Sequence, residues 1–293
     1  MSAPDLGRLG VWGHLDTLGA DAARAYVRRV EQLGFGALWV PETVGREPLT
    51  LLGMLAGETS RLVLGTSVAS IWGRDPQSTR MAALTLAEST ANRFTLGLGV
   101  SHPHLAEKLR GHTFDRPVAR MRAYLEAYRR AVIRAPALDG VDEPPILIAA
   151  LRGRMTDLAA TEADGAFPYL VTADRVRWMR ARLDAAATGN RRPLLAVTLP
   201  VSSQSVAGRA YLKPYLRTPT YQASWALQGF EASDWQPPAS DRLLDAMVAT
   251  GTPSEVRGRI DELLAAGADH VAVIPLAADG TTEDLATLEA VAG

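Results

Sequence analysis

Short apolar segments typical of β-strands alternate with amphipathic helical segments along almost the whole chain. The predicted strands span residues 9–13, 37–40, 62–64, 94–100, 145–150, 165–171, 194–200 and 270–275. Eight strands that alternate with helices over 293 residues predict an α/β fold, a (β/α)8 TIM barrel, as a single domain over residues 1–293. The alternative is a doubly wound open sheet. That fold requires a glycine-rich phosphate loop after the first strand, and the sequence GVWGH at residues 10–14 lacks that pattern.

The segments between these strands carry helix signals. Helices are predicted over residues 21–33, 48–57, 76–90, 116–133, 153–162 and 175–187, and another begins at the capping box of Thr252 and Glu255. Residues 202–247 break the alternation, because this polar connection contains Trp225 and Trp235 and far exceeds the usual length of about 4 to 6 residues. We expect this insertion after strand seven to be a lid or an interface between subunits.

Composition excludes several classes of partner and of chemistry. A formal net charge of -1 gives no general attraction to nucleic acid or to anionic membranes, so neither is an expected partner. The absence of cysteine excludes disulfides and thiolate catalysis, and His102 and His104 lack a third residue at zinc-ligand spacing, so no metal site is expected. No stretch approaches about 18 apolar residues and no export signal is recognisable, so we expect a soluble, cytoplasmic protein.

The barrel prediction limits where active residues are expected. In such barrels they lie at the carboxyl ends of the strands. His14 follows strand one, Glu42 follows strand two and His102 follows strand four, so the three side chains are expected at one mouth of the barrel. Strand three ends in small residues at positions 66–70, which leave room beside them. The sequence lacks the G-x-S-x-G motif of serine hydrolases.

Three stretches carry a resemblance to a known family. They are RFTLGLGVSH at residues 93–102, LGTSV at residues 64–68 and RDP at residues 74–76. Together they are similar to the bacterial luciferase-like superfamily, and specifically to its coenzyme F420-dependent oxidoreductase branch. Further matches at residues 33–39, 162–166, 251–256 and 266–271 extend the resemblance over nearly the whole chain, in the family's order and spacing.

The resemblance implies a site for a deazaflavin cofactor. In that family the third strand ends in a non-proline cis peptide bond behind the deazaflavin ring, and the matching bond here is Ser67–Val68. The residues expected beside the ring are Thr66, Ser67, Val68 and Ser101. The phosphate end needs backbone N–H groups at a helix N-terminus, and guanidinium groups bind phosphate well. The turn into the fifth helix has both features, and its residues are Ala150, Leu151, Arg152, Gly153, Arg154 and Met155.

Hydride chemistry also requires a group that supplies or removes a proton on the substrate. We expect His102 to take that role, Glu42 to be its electrostatic partner and His14 to be a further catalytic candidate. In the sugar-phosphate dehydrogenase branch of the family, histidine and glutamate occupy these two strand ends in the opposite order, so a sugar phosphate is not the expected substrate. Arg74 is expected to fix its loop through carboxylate or carbonyl contacts. Trp72 either walls the substrate pocket or is a half-buried packing residue.

The resemblance therefore implies an F420-dependent oxidoreductase that transfers a hydride between the deazaflavin and a small organic substrate, such as an activated double bond, an imine or an alcohol. Two alternatives are an FMN-dependent luciferase-like monooxygenase and a non-catalytic ligand-binding barrel. The insertion contains four aromatic residues that either line an apolar substrate pocket or form the face of a homodimer, the expected oligomer. They are Tyr211, Tyr215, Tyr221 and Trp225.

Overall fold

The computed structural model describes residues 4–189 and 191–292 and shows a closed barrel of parallel strands. The strands are β1 (Leu9–Trp12), β2 (Ala37–Val40), β3 (Val63–Thr66), β4 (Ala69–Ser70), β5 (Phe94–Gly99), β6 (Ile146–Ile148), β7 (Gly165–Ala166), β8 (Leu194–Ser202), β9 (Ala249–Thr250) and β10 (His270–Pro275). The sheet closes because β10 pairs with β1 on one side and with β8 on the other. This arrangement confirms the predicted (β/α)8 barrel, to which β4 and β9 add short pairings beside β5 and β8.

The helices flank the strands in the predicted order. They are α1 (Ala20–Gln32), α2 (Pro48–Leu55), α3 (Pro76–Ser89), α4 (Pro117–Arg130), α5 (Gly153–Glu162), α6 (Ala173–Ala186), α7 (Ser205–Leu212), α8 (Pro219–Ala226), α9 (Asp241–Met247), α10 (Pro253–Ala265) and α11 (Leu285–Ala292). A π-helical turn covers Leu105–Leu109. The predicted capping box forms at the start of α10, where Thr252 and Glu255 bond each other's backbone N–H groups. This local signal located the start of α10, whereas α6 begins at Ala173, two residues before its predicted start.

Two large side chains fill the barrel interior. The Trp39 indole N–H donates to Nε2 of His270 over 3.0 Å, and Nδ1 of His270 lies 2.8 Å from the carbonyl oxygen of Gly7. A Cβ at Gly65 would lie 2.3 Å from Cζ3 of Trp39, so the missing side chain makes room for the indole. Because the interior is packed in this way, the open space of the fold lies at the barrel mouth.

The sixth predicted strand is much shorter than expected. The prediction spanned residues 165–171, whereas β7 ends at Ala166. Pro168 has no backbone N–H to donate to a neighbouring strand, and Leu170 has a left-handed φ of 54°, so the chain leaves the sheet here. Tyr169 is thereby released from the barrel wall and faces the mouth.

The insertion is helical and covers one side of the mouth. Residues 202–247 contain α7, α8 and α9, together with a 3-10 turn at Tyr215–Arg217. Leu212, Trp225 and Leu243 pack from these helices into one apolar cluster with Trp12 of β1. The insertion therefore has the position of a lid. Within the described residues, no helix combines the length and the apolar character needed to span a bilayer.

Candidate active site

A cavity of about 1380 Å³ opens at the carboxyl ends of the strands. Its lining comes from the segments after β1, β2, β3, β5, β6 and β7 and from the insertion. Every predicted site residue except Thr66 lies on this lining. The residues brought together are His14, Glu42, Ser67, Val68, Ser101, His102, Ala150, Leu151, Arg152, Gly153, Arg154 and Met155.

The end of β3 forms part of the cavity floor. The Ser67–Val68 peptide bond is cis, as the family resemblance implies. A Cβ at Gly99 would lie 2.4 Å from Cγ2 of Val68, so glycine in β5 is what allows this valine to occupy its place. The Trp12 indole N–H donates to the carbonyl oxygen of Ser67 over 2.9 Å and ties the floor to β1. The result is a small-residue surface with room above it for a flat ring.

Thr66 corrects the sequence prediction. Its side chain is fully buried, its hydroxyl donates to the carbonyl oxygen of Gly97 over 2.7 Å, and it accepts from the Gly97 N–H over 2.8 Å. The hydroxyl thus both donates and accepts a hydrogen bond within the barrel wall formed by β3 and β5. Thr66 supports the strand end from behind instead of contacting a ligand.

Glu42 is held in an ion-pair network. One carboxylate oxygen accepts from the Ser70 N–H and from Nη1 of Arg74, both at 2.8 Å, and the other accepts from Arg110. The Glu42 side chain is 5% exposed. The expected pairing with His102 is therefore not what the structure shows, because the described residues contain no hydrogen bond or ion pair between them. Arg74 fixes its loop through carboxylates, as predicted, and also binds Glu47.

His102 lines the cavity. Its Nδ1 is buried and has no hydrogen-bond partner among the residues described. Burial, with a smaller effect from nearby His104, lowers the pKa of His102 to about 4. Its ring packs against Tyr221, with centroids 5.3 Å apart. At neutral pH the side chain is thus an uncharged imidazole that can accept a proton.

His14 lies across the mouth on the other side of Trp12. Its ring meets the Trp12 ring edge-on, with centroids 5.0 Å apart, and burial lowers its pKa despite the opposing effects of Asp16 and Glu283. The backbone N–H of His14 donates to the Thr282 hydroxyl. His14 is therefore a second neutral imidazole on the lining.

The turn into α5 forms a cationic end of the cavity. Arg152 is the N-cap residue of α5, and Arg154 lies in its first turn. Neither guanidinium has a hydrogen bond or an ion pair in the described parts of the chain. Arg182, also on the lining, is instead paired to Asp157 through two bonds of 2.7 Å. A helix N-terminus with free guanidinium groups is suited to an anion such as phosphate.

Aromatic side chains form another part of the lining. Of the four insertion aromatics, Tyr215 and Tyr221 reach the lining, whereas Tyr211 and Trp225 are buried behind them. Sequence reasoning missed Trp12 and Tyr169, which also line the cavity. The position of Trp12 at the end of the first strand was an available signal. Tyr169 was missed because the predicted strand over residues 165–171 included it, whereas β7 ends at Ala166.

Trp72 does not belong to this lining. Its indole N–H donates to the carbonyl oxygen of Val100 over 2.8 Å, and its ring packs on His112 with centroids 5.3 Å apart. It is a packing residue of the loop after β4, which was one of the two predicted alternatives. Among the described residues, no cluster of three carboxylates or imidazoles is placed to hold a metal ion.

Comparison with known proteins finds relatives over the whole length. The sequence pattern of the luciferase-like monooxygenase family matches residues 5–270. A Mycobacterium tuberculosis protein named as a coenzyme F420-dependent oxidoreductase is 35% identical over 133 residues, which cover 43% of this chain and only 36% of that relative. The 5,10-methylenetetrahydromethanopterin reductase of Archaeoglobus fulgidus is 26% identical and is matched over 84% of this chain and 87% of its own length.

Solved structures share the fold. The coenzyme F420-dependent tetrahydromethanopterin reductase of Methanopyrus kandleri superposes with a TM-score of 0.79 at 17% identity, over 98% of both chains. The oxygenating constituent of a Pseudomonas putida 3,6-diketocamphane monooxygenase, solved with FMN, superposes with a TM-score of 0.75 at 15% identity, over 97% of this chain and 96% of that one. Since the family pattern runs from before β1 to the first residue of β10, this chain belongs to the luciferase-like monooxygenase family.

Proposed function

We propose that this protein is a coenzyme F420-dependent oxidoreductase that transfers a hydride between the deazaflavin and a small organic substrate, such as an alcohol, an imine or an activated double bond. The observation that carries the proposal is the His102 imidazole, which lines the same cavity as the floor at Val68 and whose buried Nδ1 has no hydrogen-bond partner among the described residues. Two of the similar proteins described above are named for coenzyme F420, which supports that cofactor.

The residues present fit such a cofactor. The cavity extends over Ser67 and Val68 at the end of β3, and this floor can accept a flat tricyclic ring. Arg152 and Arg154 at the start of α5 suit the phosphodiester at the other end of the molecule. When bound, the deazaflavin supplies or accepts the hydride.

The side chains of this protein would manage the proton. A hydride leaves an alcohol carbon only as the hydroxyl proton is lost, and neutral His102 can take that proton. In the reverse direction the same imidazole, once protonated, returns a proton to the carbonyl oxygen. Glu42, committed to Arg74 and Arg110, holds the surrounding loops instead of moving protons.

A second candidate function is an FMN-dependent monooxygenase. The fold is shared with the FMN-bound diketocamphane monooxygenase, and the arginines at α5 would accept the phosphate of either cofactor. The third possibility, a ligand-binding barrel without turnover, requires that His102 have no effect on chemistry.

Direct binding and turnover test the proposal. Purified protein is titrated with oxidised F420 and, separately, with FMN, and quenching of tryptophan fluorescence is measured. F420-linked absorbance change is then followed with secondary alcohols, and with reduced F420 against enones, imines and quinones. Tight F420 binding with turnover on one of these classes supports the proposal. FMN binding without F420 binding would favour the monooxygenase, and F420 binding without any turnover would favour the non-catalytic barrel.

A further inference from the structure

The end of the cavity beneath the insertion is built from aromatic rings in mutual contact. The Trp12 and Tyr169 rings lie 5.7 Å apart, and the Tyr215 and Tyr221 rings meet nearly at right angles with centroids 5.2 Å apart. The hydroxyl oxygens of Tyr169 and Tyr215 are hydrogen-bonded at 3.0 Å. We call these four residues the aromatic box. Two of them come from the barrel and two from the insertion, so the box exists only in the folded chain.

Burial favours the uncharged form of four ionisable groups in and beside the aromatic box. Burial raises the pKa of Tyr215 to about 12 and raises that of Tyr221 still further. Burial lowers the pKa of His14 and His102, which border the box on its two sides. A charged ligand would therefore lose its hydration here without gaining an opposite charge.

The charges of the cavity lie elsewhere on its lining. Arg152 and Arg154 lie at the start of α5 without an ion pair among the described residues. The other lining arginines, Arg116, Arg122 and Arg182, are paired with Asp115, Glu162 and Asp157. Glu42 is already neutralised by two arginines. An anion in this cavity would be drawn to the arginines and away from the rings, and a cation would be disfavoured by the same positive field.

We infer that the aromatic box is the substrate subsite, and that it takes an uncharged, flat, apolar molecule such as an aryl ketone or the matching alcohol. Ring faces and edges in offset and perpendicular arrangements are the geometry in which aromatic groups attract one another. The Tyr221 ring also touches the His102 ring, so a polar atom at the edge of such a molecule would lie beside the group proposed to exchange its proton.

The assignment of this molecule as a substrate rests on the proposed function, but its binding does not require a cofactor. Equilibrium dialysis of the intact protein, without cofactor and in phosphate buffer, measures that binding directly. Three probes of similar shape are compared: 2-acetylnaphthalene, the anionic 6-acetyl-2-naphthoate, and the cationic 6-acetyl-2-naphthyltrimethylammonium. Phosphate is included to occupy the arginines, so that any binding of the anionic probe reports its affinity for the aromatic rings. The neutral ketone is expected to bind at least about tenfold more tightly than either charged probe.

Variants at one ring locate the binding. Tyr215→Ala removes the ring and is expected to weaken 2-acetylnaphthalene binding about tenfold, whereas Tyr215→Phe keeps the ring and most of the affinity. Leu227→Ala removes an exposed apolar side chain of the insertion that is not on the cavity lining, and serves as the control with unchanged affinity. Circular dichroism of Tyr215→Phe establishes that the position tolerates substitution.

The outcomes separate this inference from the proposed function. Three results would each overturn the aromatic box as a subsite for a neutral substrate. A charged probe could bind as tightly as the neutral ketone or more tightly, the ketone could fail to bind, or Tyr215→Ala could bind the ketone with wild-type affinity. If F420 binds while the ketone preference is absent, the inference fails and the cofactor assignment stands. If the preference is present while F420 does not bind, the subsite stands and the proposed function fails.

Discussion

Two buried histidines show how contacts at the scale of single residues separate structure from function. The pKa values of His102 and His270 are both lowered to about 4, chiefly by burial. Both ring nitrogens of His270 have partners, namely the Trp39 indole and the carbonyl oxygen of Gly7. His102 leaves Nδ1 without a partner in the described residues. His270 is a packed core residue, whereas His102 lines the cavity and has one ring nitrogen without a hydrogen bond.

Removing the His102 imidazole tests its role. We expect His102→Asn to lower kcat of F420-linked turnover by roughly 10² to 10⁴, the usual contribution of a positioned acid or base. The dissociation constant for F420 should change little, because the ring site is formed by other residues. Stopped-flow kinetics and fluorescence titration measure the two quantities. His112→Asn, which alters an exposed histidine outside the cavity, is the control. Unchanged kcat in His102→Asn would remove this residue from the mechanism.

The pH dependence follows from the direction of the His102 shift. Its folded pKa of about 4 lies below the ordinary 6.5, so the neutral, proton-accepting form persists as the pH falls below neutrality. Alcohol oxidation should therefore hold a constant kcat around neutral pH and decline only as the pH approaches about 4. An ordinary exposed histidine would cause the decline near 6.5. A kcat profile with its midpoint there would contradict a buried base.

Gly99 can be tested against a glycine in open space. In Gly99→Ala the new Cβ would lie 2.4 Å from Val68, so we expect a loss of about 1 to 3 kcal/mol in the free energy of unfolding and weaker F420 binding. Gly258→Ala is the matched control, because no atom lies within 4 Å of the added Cβ inside α10. It should gain about 0.5 to 1 kcal/mol from better helix propensity. Urea unfolding measures both, and equal effects would argue against a tight floor at Val68.

At the scale of elements, Glu42 joins three separate segments of the mouth. It follows β2, Arg74 follows β4, and Arg110 follows the π-helical turn that begins beyond His102. The Ser70 N–H in β4 adds a backbone tie to the same carboxylate. The segment that carries His102 is thus anchored to the strand ends on either side of the cavity floor.

Loss of the Glu42 charge should be costly to stability. Glu42→Gln leaves two part-buried arginines facing a neutral amide, and we expect the free energy of unfolding to fall by roughly 2 kcal/mol. Glu47→Gln changes the more exposed partner of Arg74 and should cost less than about 1 kcal/mol. Chemical denaturation compares the two variants. If Glu42→Gln were as stable as wild type but shifted the pH profile of kcat, Glu42 would be a proton-transfer group after all.

At the scale of the whole molecule, the cavity lining combines the floor at Ser67 and Val68 with the cationic turn into α5 and a group of aromatic rings. A cofactor that bridges the floor and the α5 terminus would bind only the folded chain. At a concentration about 100 times its dissociation constant, F420 should therefore stabilise the protein by about 2.7 kcal/mol, seen as a raised Tm. The increase should shrink in the double variant Arg152→Ala, Arg154→Ala and persist in Arg257→Ala, which removes an exposed arginine on α10. A Tm that rises with FMN and not with F420 would favour the alternative cofactor.

The homodimer stays a prediction. Sedimentation equilibrium of the purified protein distinguishes a dimer from a single 31.4 kDa chain. The aromatic residues of the insertion do not support a homodimer, because they face the cavity or the apolar cluster between the insertion and the barrel.

The barrel and the order of its strands and of the helices between them followed from the sequence, whereas the three helices of the insertion did not. Local sequence patterns predict hydrophobic periodicity, helix caps and strand ends, because these features depend on residues that are close in the chain. The turn from Ala150 to Met155 and the Ser67–Val68 bond were located through the family resemblance and lie on the cavity.

Only the tertiary structure decided which of these side chains are free to act. The Thr66 hydroxyl is hydrogen-bonded to the backbone of Gly97, and the Glu42 carboxylate is paired with Arg110, which is 68 residues away in the chain. Tyr169 reaches the mouth because the chain leaves the sheet after β7. Hydrogen-bond partners and burial depend on residues distant in the chain, and no local pattern contains that information. The sequence thus predicted residues that line the cavity at the barrel mouth, whereas three-dimensional contacts decided which of those side chains are already paired with other parts of the chain.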